Sequence, residues 1–350
     1  MKSIVTPKWV SLCALLMILV GVTFDRTYEM TVMLSGILLS LWLAITIHEL
    51  GHVVAGKAGG FEFVFFISGP VQCLKTVDGI SLKENKIWLF LGGVALMIPP
   101  RVGYKKLAKK EALFVAGGPV ASVLIGILSL ALYYLSGYIL FMYFAIMNIA
   151  IFCATAIPLK TSMKTDGYVL LTLLKNNDET IKLLDELVLS KELLSNKQPI
   201  QWDVELVNFA RQKQPSIENL QYAMLLYYYE VYQNGFHNAV KVMQPYKSIP
   251  ITKDNKFQMS FIINMHQIEL LLDDNYHTQD IVKLQKNLSI IEPVSYYRGQ
   301  AMVAYLEKDL NQAIVHLEKV YAIIEENESL YGFFFVEKIL TNLVKEKINR

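Results

Sequence analysis

Charge is scarce in this sequence. Only 18% of its 350 residues are Asp, Glu, Lys or Arg, and 53% are hydrophobic. The mean hydropathy of +0.35 is too high for an ordinary soluble domain. Cysteine is almost absent: Cys13, Cys73 and Cys153 stand far apart with no CxxC pair. That excludes a disulfide framework and leaves three apolar thiols. There is no phosphate loop, no dinucleotide fingerprint and no basic patch, and the net charge is only +2. Nucleotide-cofactor chemistry and a nucleic-acid partner are therefore not expected. Nor does any Pro/Gly/Ser-rich linker divide the chain; its only boundary is a shift in composition.

That shift separates two parts. Residues 1–174 hold long uncharged runs and read as a membrane domain, whereas residues 175–350 read as soluble, all-α protein. Trp9 to Phe24 is apolar, with no A-x-A-like cleavage site after it, so it is expected to be a retained first span. Met30 to Ile47 is a second run, 18 residues without a charge. Ala112 to Leu159 carries no charge and breaks at Ser136-Gly137, which predicts two more helices. Four spans result. The loop before the third holds Lys57, Lys75, Lys83, Lys86, Arg101, Lys105, Lys106, Lys109 and Lys110, against Arg26 alone in the first loop. The positive-inside rule makes the Lys-rich loop cytoplasmic, along with both termini and everything after Leu159. The chain is expected to be a multi-pass protein of the cell membrane.

The second run ends in an unusual way, with "ITIHELGHVVAG" from Ile45 to Gly56. A helix entering at Met30 rises about 1.5 Å per residue, so His48 lies roughly 27 Å deeper, near the inner edge of a ~30 Å apolar core. Ionisable groups are costly there and mark function. His48 and His52 are i and i+4, hence on one face, and can grip one tetrahedral metal ion. Glu49, beside the first, can deprotonate a water on that ion. This is the HExxH arrangement of zinc hydrolases. A catalytic zinc needs a third protein ligand. Asp166, after the fourth span, reaches the same depth on the same side. Asp78 is the rival, although Asp78-Gly79 in "CLKTVDGISLK" also reads as a hairpin turn.

Three stretches in this order resemble the site-2 protease family of intramembrane zinc metalloproteases: "HELGH" at His48–His52, "AGGPVAS" at Ala116–Ser122 and "IPLKTSMKTDGYVLL" at Ile157–Leu171. The resemblance covers about the first half of the chain. It implies zinc held by His48, His52 and Asp166, with Glu49 as general base. It also implies an active site shaped by Gly117, Gly118 and Pro119, which read in their own right as close helix packing and a helix start. The family's asparagine before its last motif is replaced by Thr155, and its asparagine near Ser122 is missing too. Short β-hairpins at the membrane surface are expected between Phe61 and Pro100. An exposed edge among them either holds a substrate segment as an added strand or serves interfacial packing alone.

In the second part, "NGFHNAVKVM" from Asn234 and "KDLNQAIVHL" from Lys308 align Phe236 and Ala239 with Leu310 and Ala313. Their 74-residue separation suits degenerate tetratricopeptide-like repeats of ~34 residues, with "DDNYHTQDIVKL" from Asp273 as a middle copy. The tyrosines of Leu225–Gln233 read as packing, and His237, His266 and His277 have no partner spacing. The expected fold is mostly α: about four transmembrane helices with interfacial β-hairpins, then a helical-repeat domain that stabilises the enzyme or binds a protein partner. The expected function is zinc-dependent cleavage of a membrane protein or peptide precursor within or beside a transmembrane segment. The alternatives are a peptidase for short secreted peptides and a silent scaffold using its helical half, though a scaffold has no need of Glu49.

Overall fold

The computed structural model describes residues 6–85, 88–159, 164–273 and 278–349. The chain divides into two compact units, Met1–Leu187 and Val188–Arg350. The first opens with α1 (Pro7–Gly21) and α2 (Asp25–Gly59), followed by four strands: β1 (Glu62–Ser68), β2 (Val71–Thr76), β3 (Gly79–Glu84) and β4 (Val94–Ile98). It continues with α3 (Tyr104–Ser136), α4 (Ile139–Ala156), α5 (Asp166–Lys175) and the start of α6 (Asp178–Leu193).

Among the described residues, three helices are long and apolar enough to cross a bilayer: α2, α3 and α4. α1 is apolar but has only 15 residues. α2, with 35 residues, spans roughly 52 Å and so outruns a ~30 Å core. It ends at Gly60, whose φ of +83° is the left-handed cap that glycine adopts without strain. The Lys110 ammonium donates to the Gly59 carbonyl there, placing a cation at the negative end of the helix. α3 and α4 break at Ser136-Gly137, as the sequence predicts, with Gly137 at φ +72°. Pro119 departs from expectation. It lies inside α3 rather than at its start, because the charged stretch from Tyr104 already winds into the same helix.

The strands form an antiparallel sheet in the order β3-β2-β1-β4. Two-residue loops close its hairpins, Gly69-Pro70 between β1 and β2 and Val77-Asp78 between β2 and β3. Asp78 therefore sits in the expected turn. β4 pairs with β1 from Ile67↔Val94 to Glu62↔Ile98, with an irregularity between Phe63 and Phe65. The sheet is tied to α2 by Trp42 Nε1 donating to the Ser68 carbonyl (3.3 Å) and by Thr46 Oγ1 meeting Ser68 Oγ at 2.7 Å. Residues 42, 46 and 49 recur at helical spacing, so the face of α2 that carries Glu49 is the one turned to the sheet.

The second unit is helical: α7 (Val204–Gln212), α8 (Leu220–Asn234), α9 (Phe236–Met243), α10 (Ser260–Leu272), α11 (Thr278–Gln285), α12 (Pro293–Leu306), α13 (Leu310–Asn327) and α14 (Phe334–Ile348). Its core includes Leu225, Met243, Met265, Ile268, Met302 and Leu340. The tyrosines Tyr227 and Tyr228 are buried in it. The two repeat-like stretches start α9 and α13, and Ala239 and Ala313 are fully buried in both. Phe236 is buried as well, but Leu310 is 51% exposed, so the correspondence is partial. Residues 274–277 of the middle stretch, and with them His277, lie outside the described residues. Arg298, 1% exposed, is held by Asn264 Oδ1 (2.7 Å), Thr341 Oγ1 (3.1 Å) and the Glu337 carboxylate (2.7 Å).

Candidate metal centre

A single face of α2 carries Gly36, Ser40, Ala44, His48, His52 and Gly56, all buried. Its small residues let α3 approach closely. The approach is tightest at Gly51 and Gly117. A Cβ on either would lie 2.4 Å from the other's carbonyl oxygen. Gly117 is therefore a packing residue, as its sequence context suggests. Gly118 has a different neighbour. A Cβ there would lie 2.3 Å from His52 Nε2 and 2.8 Å from His48 Cε1, so the absent side chain is the space the two imidazoles occupy.

Asp166 reaches them from α5. Thr165 caps this helix, its hydroxyl accepting from the Tyr168 amide and donating to the Ile157 carbonyl (2.7 Å). Asp166 then falls in the first turn, where the helix dipole favours a carboxylate. Gly167 lets the turn seat against α4, since a Cβ would stand 1.9 Å from the Ala156 carbonyl oxygen.

Three potential ligand atoms converge. Asp166 Oδ2 lies 3.2 Å from His48 Nε2 and 3.5 Å from His52 Nε2, and the two Nε2 atoms are 3.3 Å apart. Tetrahedral zinc with bonds of ~2.05 Å separates its ligands by ~3.3 Å, so the triangle has the right edge length. The protons agree. His52 Nδ1 lies 2.9 Å from the Phe114 carbonyl, which only accepts, so Nδ1 carries the hydrogen and Nε2 keeps its lone pair. His48 Nδ1 lies 3.1 Å from Ser122 Oγ, which can accept in the same way. Two imidazole nitrogens and a carboxylate oxygen face one point, an arrangement that suits a cation between them. These are outer-sphere partners of the kind that orient metal-binding histidines.

His48, His52 and Asp166 are a group able to hold a metal ion among the described residues; Asp78 is not part of it. Glu49 is not part of it either; its side chain lies against Gly93, where a Cβ would stand 2.9 Å from Glu49 Oε1. Thr155 is not brought to the triangle: its hydroxyl meets the Phe152 carbonyl of its own helix at 3.4 Å. The sequence alone does not reveal the roles of Phe114, Ser122 and Gly93. Only Ser122 left a trace, as the place where a family asparagine is missing.

Residues 36–330 match the family model for peptidase family M50. No curated protein and no solved structure matches the chain.

Proposed function

The chain belongs to peptidase family M50, the site-2 protease family, and from this we propose that it is an intramembrane zinc endopeptidase. It hydrolyses a peptide bond in or beside a transmembrane segment of a membrane protein or peptide precursor. One observation carries the reading: His48, His52 and Asp166 converge to 3.2–3.5 Å at the end of an apolar helix that also carries Glu49.

His48, His52 and Asp166 would hold the ion, with Ser122 and the Phe114 carbonyl fixing both imidazoles. Zinc, when bound, supplies a Lewis acid for the scissile carbonyl and lowers the pKa of water. Glu49 takes the proton of the attacking water and returns it to the leaving amine. Gly118 keeps the imidazoles unobstructed, Gly117 and Pro119 set the α2–α3 packing around them, and Thr155 stands near the end of α4, outside the ligand set. A helical substrate hides its carbonyls in its own hydrogen bonds. It must unwind, and the edge of β4 can hold it as an added strand.

In this reading α1 joins α2, α3 and α4 as a fourth, short span, and the Lys-rich stretch 57–110 faces the cytoplasm. Residues 1–174 do the chemistry. Residues 175–350 form a cytoplasmic, tetratricopeptide-like domain that binds a protein partner or supports the enzyme. The test compares membrane-derived peptides and new protein N-termini in cells making wild type or Glu49→Gln. Loss of a general base removes ~10²–10⁴ in rate, so a set of termini should vanish with the variant. An identical set in both strains would refute the enzyme reading and favour a scaffold.

A further inference from the structure

Away from the metal triangle, α2 and the sheet enclose a cavity of about 570 Å³. Its helical wall is Leu50, Val53 and Lys57, which share one face at i, i+3 and i+7. Its sheet wall is the side-chain face that carries Phe66 opposite Cys73 and Lys75 opposite Ile80. Both walls change character in the same direction. On α2 the apolar Leu50 and Val53 give way to Lys57, roughly 10 Å beyond Leu50. The chain turns at Gly60, so Glu62 starts beside the end of α2, while Ser68 meets Trp42 and Thr46 further back. Lys75, 3.8 Å from Glu62 in an exposed pair, therefore stands at the Lys57 end, and Phe66 and Cys73 at the apolar end. Glu62 balances Lys75, but Lys57 has no ion-pair partner among the described residues. The cavity is apolar at one end and carries uncompensated positive charge at the other. On the hairpin beside it, Val77, Ile80 and Leu82 are 67–73% exposed, an apolar border unsuited to water.

We propose that this cavity holds an anionic phospholipid of the cytoplasmic leaflet, with its phosphate at Lys57 and Lys75 and an acyl chain against Leu50, Val53, Phe66 and Cys73. The strands argue against a peptide there. β1 pairs with β2 and β4, and β2 pairs with β1 and β3, so both sides of each strand are taken. A peptide in the cavity would leave its own N–H and C=O groups unpaired, at a cost; an acyl chain has none. Charge selects the head group. A zwitterionic lipid brings no net charge to Lys57, whereas anionic lipids of the cytoplasmic leaflet attract each nearby lysine. A lipid so placed fills the gap between the sheet and the helix that carries Glu49. Only the choice of leaflet rests on the orientation proposed above, and labelling at Lys106 tests that by itself; the cavity and its charge do not depend on zinc chemistry.

The test uses full-length protein in a neutral detergent and reads the alkylation rate of each cysteine by peptide mass spectrometry. Cys73 lines the cavity, while Cys13 and Cys153 are exposed elsewhere and report any general effect of added lipid. Phosphatidylglycerol should slow Cys73 relative to Cys13 and Cys153, and should do so at a lower concentration than phosphatidylcholine with the same chains. Glycerophosphoglycerol, the head group without its chains, should give no protection. Lys57→Gln should raise the half-protecting concentration of phosphatidylglycerol about fivefold, the scale of one lysine's attraction to anionic lipid, and leave that of phosphatidylcholine unchanged. Lys75→Gln should act in the same direction. Equal protection by the two lipids in wild type, protection by the head group alone, or a phosphatidylglycerol requirement unmoved by Lys57→Gln overturns the proposal. A synthetic transmembrane peptide that protects Cys73 where phosphatidylglycerol does not also overturns it, and assigns the cavity to substrate.

Discussion

Gly118→Ala adds one methyl group where the structure has no room for it. The new Cβ would stand 2.3 Å from His52 Nε2, 2.7 Å from His52 Cε1 and 2.8 Å from His48 Cε1. Ordinary contact needs ~3.5 Å or more, so the His52 ring must retreat by roughly 1 Å. Moving α2 away from α3 would relieve it only by opening the backbone-to-backbone packing of Gly51 on Gly117. The movement falls on the atoms that define the 3.2–3.5 Å triangle. Losing an outer-sphere partner typically costs 10–100-fold in metal affinity, and displacing a ligand atom should cost at least the upper end of that range. We expect zinc affinity to fall by about 100-fold or more, read by competition with a chromophoric chelator in detergent. Gly126→Ala is the control on the same helix. The atoms nearest its Cβ would be Ile149 side-chain atoms at 3.1 and 3.3 Å and Asn148 Cβ at 3.5 Å, and zinc affinity should stay within about threefold of wild type. Wild-type zinc affinity in Gly118→Ala would refute the placement of the imidazoles.

Gly167→Ala should also weaken zinc binding by about 10–100-fold, because a Cβ 1.9 Å from the Ala156 carbonyl oxygen must shift the turn that carries Asp166; unchanged zinc content would contradict this. Arg298→Met leaves the buried Glu337 carboxylate without its cation and should cost ~3–5 kcal/mol. Thermal unfolding should report the loss, and Arg298→Met/Glu337→Leu should recover most of it. Glu292 has a distinct pH signature: burial first, then the Glu337 charge, pushes its carboxyl up to about 7. The folded state therefore keeps a proton that the unfolded chain has lost, and stability falls as pH rises from the ordinary carboxylate range through 7. Glu292→Gln should remove that part of the slope, gaining Tm over wild type at pH 8 more than at pH 5; parallel Tm curves would contradict it. A cysteine at Lys106 should resist an impermeant thiol reagent in intact cells and react in inverted vesicles, since the Lys-rich stretch is assigned to the cytoplasm; labelling in intact cells would reverse the topology.

The histidine pair was legible because it is local: His48 and His52 share a helical face by spacing alone. Asp166 lies far along the chain, and depth counted from the spans left it beside Asp78 as a candidate; the resemblance to the site-2 protease family singled it out. The hairpin turn at Asp78 was legible from its Asp-Gly pair. The orienting contacts were not. His48 meets Ser122 across 74 residues and His52 meets Phe114 across 62, and a backbone carbonyl has no sequence signature. Pro119 read as a helix start because proline is favoured there; tertiary packing keeps α3 running through it.

The central claim is that Glu49 works beside the metal and is not one of its ligands, whereas Asp166 is. Zinc stoichiometry of purified Glu49→Gln and Asp166→Ala, measured side by side with wild type under the same chelator challenge, tests it most directly. The account predicts about one zinc per chain in wild type and in Glu49→Gln, and close to none in Asp166→Ala. Zinc lost from Glu49→Gln but kept by Asp166→Ala would contradict it.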